Sequence, residues 1–110
     1  MKGGGFAPET VAVAPTSTVV VEVDTRAASI FTLFVENLDA SQTFSGAIER
    51  WMVAGQTPAP QVSDEFTSIS AGASVMVDLD VRGTSYIRLV GTFSGAGGNV
   101  SVSGADRRQP

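Results

Sequence analysis

Residues 75–81 read VMVDLDV, and this stretch limits the possible folds more than any other. Val75, Val77, Leu79 and Val81 occupy every second position, with Asp78 and Asp80 among the residues between them. A period of two sends alternate side chains to opposite sides of an extended chain. The segment therefore reads as a strand with a dry face and a wet face. A helix would scatter the same residues around its circumference.

Similar runs recur along the chain. Residues 10–14 (TVAVA) alternate and stop at Pro15, and residues 18–24 (TVVVEVD) are rich in β-branched side chains that suit a pleated surface. Residues 29–37 (SIFTLFVEN) set Phe31, Leu33 and Val35 on one face and Ile30 and Phe34 on the other, the pattern of a central strand covered on both sides. Residues 66–69 form a short strand ended by the turn 70–74 (SAGAS). After Gly83, residues 84–93 (TSYIRLVGTF) point Ile87, Leu89 and Phe93 inward and Tyr86 and Arg88 outward. Residues 94–98 (SGAGG) supply the positive φ angles of a hairpin loop, and residues 99–103 (NVSVS) close the sheet through Val100 and Val102.

Residues 44–54 (FSGAIERWMVA) are ambiguous, because Phe44, Ala47, Ile48, Trp51 and Met52 fall at helical spacing. Gly46, the missing cap and the strands on either side favour a strand. Residues 55–60 (GQTPAP) form an irregular connection. About eight short strands separated by turn signals every ten residues or so predict one all-β domain, a two-sheet antiparallel β-sandwich of jelly-roll or immunoglobulin-like type. The expected layout is a flexible, extended N-terminal arm at 1–9, the sandwich at 10–104 and a polar tail at 105–110.

Composition narrows the function. The 110 residues carry a net charge of −4. Lys2 is the only lysine, and Arg26, Arg50, Arg82 and Arg88 are dispersed among acidic residues, so the basic stripe of a nucleic-acid binder is missing. No apolar run approaches the roughly 20 residues that cross a bilayer as a helix. No secretory leader is recognisable in MKGGGF, and cysteine is absent, which suits assembly in a reducing cytoplasm.

Histidine is also absent. The Ser-His-Asp and Cys-His arrangements are thus excluded, together with the usual His-based metal sites. A Ser-Lys pair would have to use Lys2 in the arm. Asp78 and Asp80 share a strand face about 7 Å apart, near the spacing of glycosidase carboxylates, but an exposed strand is no cleft and the pair reads as a solubilising face. No DxDxDG loop supports calcium there. Asp64 and Glu65 read as a solvated loop. Residues 91–98 (GTFSGAGG) lack the lysine and helix of a phosphate-binding loop. Trp51 can be core, an interface anchor, or part of a sugar platform with Tyr86 and Phe44.

The segments SISAGA (68–73), VMVDLDV (75–81), YIRLVG (86–91) and SGAGGNVSVS (94–103) together resemble the head decoration, or cement, proteins of tailed bacteriophages. That resemblance covers about a third of the chain. It implies a non-enzymatic β-sandwich that needs no cofactor or metal, binds the outside of an assembled capsid, bridges major capsid subunits as a dimer or trimer, and clamps them with terminal arms. The location implied is the capsid surface of a virion assembled in the host cytoplasm. The candidate capsid or subunit contacts are Lys2, Phe6, Trp51, Tyr86, Arg88, Arg107 and Arg108.

Overall fold

A computed structural model describes residues 1–51 and 65–107, with the backbone alone at 51 and 65–67. Its strands are β1 (Phe6–Val13), β2 (Thr18–Asp24), β3 (Ile30–Asn37), β4 (Phe44–Trp51), β5 (Glu65–Ile69), β6 (Ser74–Asp80), β7 (Tyr86–Phe93) and β8 (Gly98–Arg107). They form two four-stranded sheets, ordered β1-β8-β3-β6 and β2-β7-β4-β5, with antiparallel neighbours throughout. The ambiguous segment is a strand, as expected, and its residues 52–54 lie outside the described part of the chain, as does the connection at 55–60.

The pairing decides between the two candidate topologies. β1 pairs with β8, β2 with β7, β3 with β6 and β4 with β5. These are the rungs of one long antiparallel ribbon whose two arms are β1–β4 and β5–β8. Folding that ribbon over brings β3 against β8 and β4 against β7, and the result is a jelly roll. The loop at 94–98 is consequently a crossing between sheets and not a hairpin. Its expected positive φ is present at Gly97 (+105°). Turn chemistry reports a reversal of the chain but not whether the flanking strands pair with each other.

Several boundaries shift. β1 begins at Phe6, so residues 6–9 belong to the sheet and not to a flexible arm, held by the register Phe6↔Gly104 and Glu9↔Val102. β8 continues through Ala105, Asp106 and Arg107, residues assigned to the tail, because β3 supplies partners as far as Ile30↔Arg107. β5 starts at Glu65, one residue ahead of the strand expected at 66–69.

The core lies between the sheets. Phe31, Leu33, Val35, Phe44, Ile48, Leu89, Val100 and Val102 are completely buried, and Leu79, Val81, Ile87 and Phe93 nearly so. Two strand glycines make room for the largest side chains. A Cβ at Gly91 would strike the Phe44 ring, and one at Gly104 would lie 2.6 Å from that of Phe31. Phe44 in turn meets Phe93 edge-on at 5.6 Å.

Buried polar groups pin both ends of the sandwich. The Asn37 amide donates to the carbonyls of Gln42 (2.8 Å) and Ile69 (3.0 Å) and accepts from the Asp39 N–H (2.9 Å). At the other end Thr25 Oγ1 donates to the Thr84 carbonyl at 2.9 Å, tying two connections together.

Two face assignments fail. Tyr86 shares the outward parity of Arg88, yet it is buried (2% exposed). Phe34, expected beneath a second layer, is 36% exposed, because nothing in the described chain packs over the outer face of β3. Truncation should separate the two faces of that strand. Phe31→Ala is expected to destabilise the fold by about 3–5 kcal/mol. Phe34→Ala should destabilise it by no more than about 1 kcal/mol, and chemical denaturation of the two variants checks the contrast.

Candidate functional site

The seven candidate contacts do not form one surface. Lys2 and Phe6 come together, with Lys2 Nζ 5.3 Å from the Phe6 ring centroid and 2.8 Å from Glu9 Oε2. Phe6 itself stacks on core Phe31 at 6.4 Å. Arg107 is exposed at the end of β8, and its carbonyl accepts the Ser29 N–H at 2.8 Å. Arg108 lies outside the described residues.

Tyr86, Arg88 and the backbone of Trp51 belong to the other sheet, in the registers Trp51↔Tyr86 and Glu49↔Arg88. The Trp51 side chain lies outside the described part of the chain. Tyr86 is buried and offers no exposed contact. Arg88 is half-buried between Glu22 and Glu49 on adjacent strands, with its guanidinium 3.2 Å from Glu22 Oε2. Its charge is neutralised within its own sheet. A sugar platform of Trp51, Tyr86 and Phe44 is not formed, since Phe44 and Tyr86 are both buried.

Asp78 and Asp80 each have a structural partner, while Asp64 and the Glu65 side chain lie outside the described part of the chain. Asp78 accepts from Thr32 Oγ1 at 2.6 Å. Asp80 receives the Arg82 backbone N–H, Nε and guanidinium at 3.1, 3.0 and 2.5 Å, which hold its carboxyl down at about 2. Asp24 and Arg26 repeat this Asp-x-Arg clasp, again with the carboxyl at about 2. The Asp24 and Asp80 carboxylates are thus held ionised, the opposite of a general acid. Among the described residues no group of three or more acidic side chains is placed to hold a metal ion.

A different feature stands out on the outer face of β1-β8-β3-β6. Phe34 and Met76 are directly opposed on β3 and β6, and Ser103 flanks Phe34 on the other side. Together with Phe6, Pro8, Thr32, Gly104 and Ala105 they line a groove of about 400 Å³. Met76 is 66% exposed there. The sequence carries a signal for this groove. Phe34 shares the parity of Thr32 and Glu36, and Met76 that of Ser74 and Asp78, so each is an apolar residue on a polar face. What the sequence does not carry is the pairing of β3 with β6, which sets the two side by side.

The outer face of β2-β7-β4-β5 holds a second depression of about 470 Å³, lined by Ser17, Ser45, Ala47, Ser68, Val90 and Thr92 with Gly46 and Gly91. Its described lining offers hydroxyls and small apolar groups.

No protein-family model matches the chain, and no curated protein matches its sequence. Similar solved structures include a chain from infectious bursal disease virus Gt strain, 9% identical with a TM-score of 0.49, covering 91% of this chain and 29% of the viral one. The Gx strain gives 10% identity and a TM-score of 0.46, covering 91% and 32%. A chain from Bacillus endospore appendages, described as a novel family of disulfide-linked pili, is 14% identical with a TM-score of 0.45, covering 99% and 95%. The chain spans about a third of the length of the two viral chains.

The two Asp-x-Arg clasps set an acid limit. Each carboxyl is lowered from an ordinary 3.8 to about 2, so its contribution is complete above the unfolded value and disappears as pH falls through the folded one. Thermal unfolding should therefore lose stability as pH drops from 3.8 to about 2. Arg26→Gln combined with Arg82→Gln is expected to flatten that slope and to return both carboxyls toward 3.8 in an NMR titration. The Asp24 clasp should contribute more, being the less exposed carboxylate (25% against 56%).

Proposed function

We propose that this chain is a non-enzymatic structural protein that docks on the outside of an assembled capsid and stabilises it by bridging neighbouring capsid subunits. The observation that carries this reading is the groove around Phe34 and Met76. An aromatic ring and a thioether lie together on an outer sheet face, where the same strands also present Ile30, Thr32, Glu36, Ser74, Asp78 and Asp80. Apolar groups gathered on a polar face mark a surface that a partner covers.

The rest of the design agrees. The jelly roll supplies a stiff platform, and Asp24 with Arg26, Asp80 with Arg82 and Glu22 with Arg88 are paired within the chain. Met76 is an adaptable contact residue on an edge strand. A protein that binds only the assembled lattice stabilises that lattice by mass action, and repetition over symmetry-related sites adds avidity.

A carbohydrate-binding or adhesion role is the second reading, supported by the hydroxyl-lined depression at Ser45, Ser68 and Thr92. It is the weaker one, because the described lining brings together only small side chains, without the pairing of large apolar groups seen at Phe34 and Met76.

Sedimentation with empty shells separates the two. Wild-type protein should pellet with shells and ignore a glycan array. Phe34→Glu and Met76→Glu, which leave the core untouched, should each weaken shell binding by about tenfold or more. Unchanged occupancy in both variants would remove the groove from the contact, and glycan binding lost on Ser68→Trp would promote the alternative.

A further inference from the structure

We propose that residues 1–5 are an exchangeable strand, lying on β2 of their own chain in the isolated molecule and on β2 of a second copy of this chain in an assembled form. This concerns contact between copies and stands apart from the docking groove.

β2 is an edge strand, and it already pairs with Lys2 through an isolated parallel bridge at Val23. The Lys2 N–H donates to the Glu22 carbonyl at 2.8 Å, and the Asp24 N–H donates to the Lys2 carbonyl at 2.7 Å. The track continues beyond Lys2 as a groove of about 220 Å³, bounded by Met1, Lys2 and Glu9 on one side and Val19–Glu22 on the other. Met1 (68%) and Val19 (45%) stand exposed along it.

The segment that brings Lys2 there is weakly held. Residues 3–5 are all glycine. Gly3 has open space where a Cβ would point, and the Gly5 N–H reaches Asp106 Oδ1 only at 3.3 Å. Gly4 takes φ +148°, a value that side-chain-bearing residues rarely adopt. Such a segment can straighten without losing packed side chains.

Every anchor of Lys2 belongs to the body: Glu9 and Phe6 on β1, and Glu22 and Asp24 on β2. A second copy presents the same set. Exchange therefore restores each contact and changes only the glycine hinge, which is the condition for low-cost swapping between identical chains. Glu9 flanks the groove and pairs with Lys2 at 2.8 Å, and Lys2 is the only lysine in the chain. Five extended residues reach about 17 Å, which requires the two bodies to stand side by side at their β1–β2 seams.

The single lysine makes the test direct. Chains labelled with ¹⁴N and ¹⁵N are refolded together over a range of concentrations and treated with a carbodiimide, which joins the Lys2 amine to the Glu9 carboxylate with loss of water. Lys2→Arg, which keeps the charge, should lose that cross-link and so distinguishes it from one made by the N-terminal amine. Mixed-isotope Lys2–Glu9 peptides are expected in the oligomer fraction at high concentration. Gly4→Pro, whose fixed negative φ forbids the present bend, should enlarge that fraction. Deleting residues 1–5 should leave a monomer with unchanged circular dichroism. Same-isotope cross-links alone in wild type and in Gly4→Pro at every concentration would overturn the proposal. So would an oligomer that survives the deletion. Should Gly4→Pro fail to fold, the wild-type mixture decides by itself.

Discussion

Burial of one parity of side chains between two sheets fixes everything else in this molecule. Once Phe31, Leu33 and Val35 turn inward with Val100 and Val102 beside them, Thr32, Phe34 and Glu36 have no choice but the outer face. Slipping any strand by one residue would exchange the two sets, so the core holds the register of every outer side chain. Surface chemistry is thus inherited from core packing. Because strands far apart in sequence pair with each other, the surface combinations so produced are invisible to any local reading.

That accounts for what could be read in advance. The period-two runs revealed most of the strands, because alternation is a property of neighbours in the chain. The wet face of β6 at Asp78 and Asp80 was legible for the same reason. For 44–54 the spacing pointed to a helix, and only Gly46, the missing cap and the strands on either side pointed to the strand that forms. Pairing was not legible, so the Gly-rich loop at 94–98 passed for a hairpin, and Phe6–Glu9 passed for an arm although β8 was available to hold them. The same gap explains the site. Arg88 reads as a free cation until β2 and β4 place Glu22 and Glu49 on either side of it. Phe34 reads as core because an aromatic ring inside a strand usually is. Its companion Met76 lies 42 positions away, and only the β3·β6 ladder joins them.

The jelly-roll path also sorts charge between the ends of the sandwich. The connections after β1, β3, β5 and β7 gather at one end, joined by bonds such as Ser94 N–H to the Thr43 carbonyl (3.0 Å) and Leu38 N–H to that of Asn99 (3.0 Å). Among their residues Asp39 alone is charged, and the N–H groups of Ser41 and Gln42 hold its carboxyl low. The opposite end carries Asp24, Arg26, Asp80 and Arg82, and there Arg50 of one sheet donates to the Asp80 carbonyl of the other at 2.6 Å. One end is closed by turns around a single hydrogen-bonded carboxylate, the other by ion pairs and the Thr25–Thr84 hydrogen bond. Acid therefore reaches both ends, through Asp39 at one and through Asp24 and Asp80 at the other.

Phe6 connects the two surfaces that matter most. Its ring stacks on core Phe31, lines the Phe34–Met76 groove, and supports the ammonium of Lys2. A residue in this position transmits in both directions. Lifting Lys2 away uncovers one side of the ring, and a partner pressed into the groove confines the ring from another. An aromatic ring that loses a cation also gives up an electrostatic attraction worth roughly 0.5–1 kcal/mol at an exposed site. A coupling between strand and groove cannot exceed that order, so it is a bias between neighbouring contacts and not a switch. A modest bias of this kind becomes consequential only when repeated over many identical copies, where small preferences multiply and a contact that is marginal in one molecule becomes firm in the array.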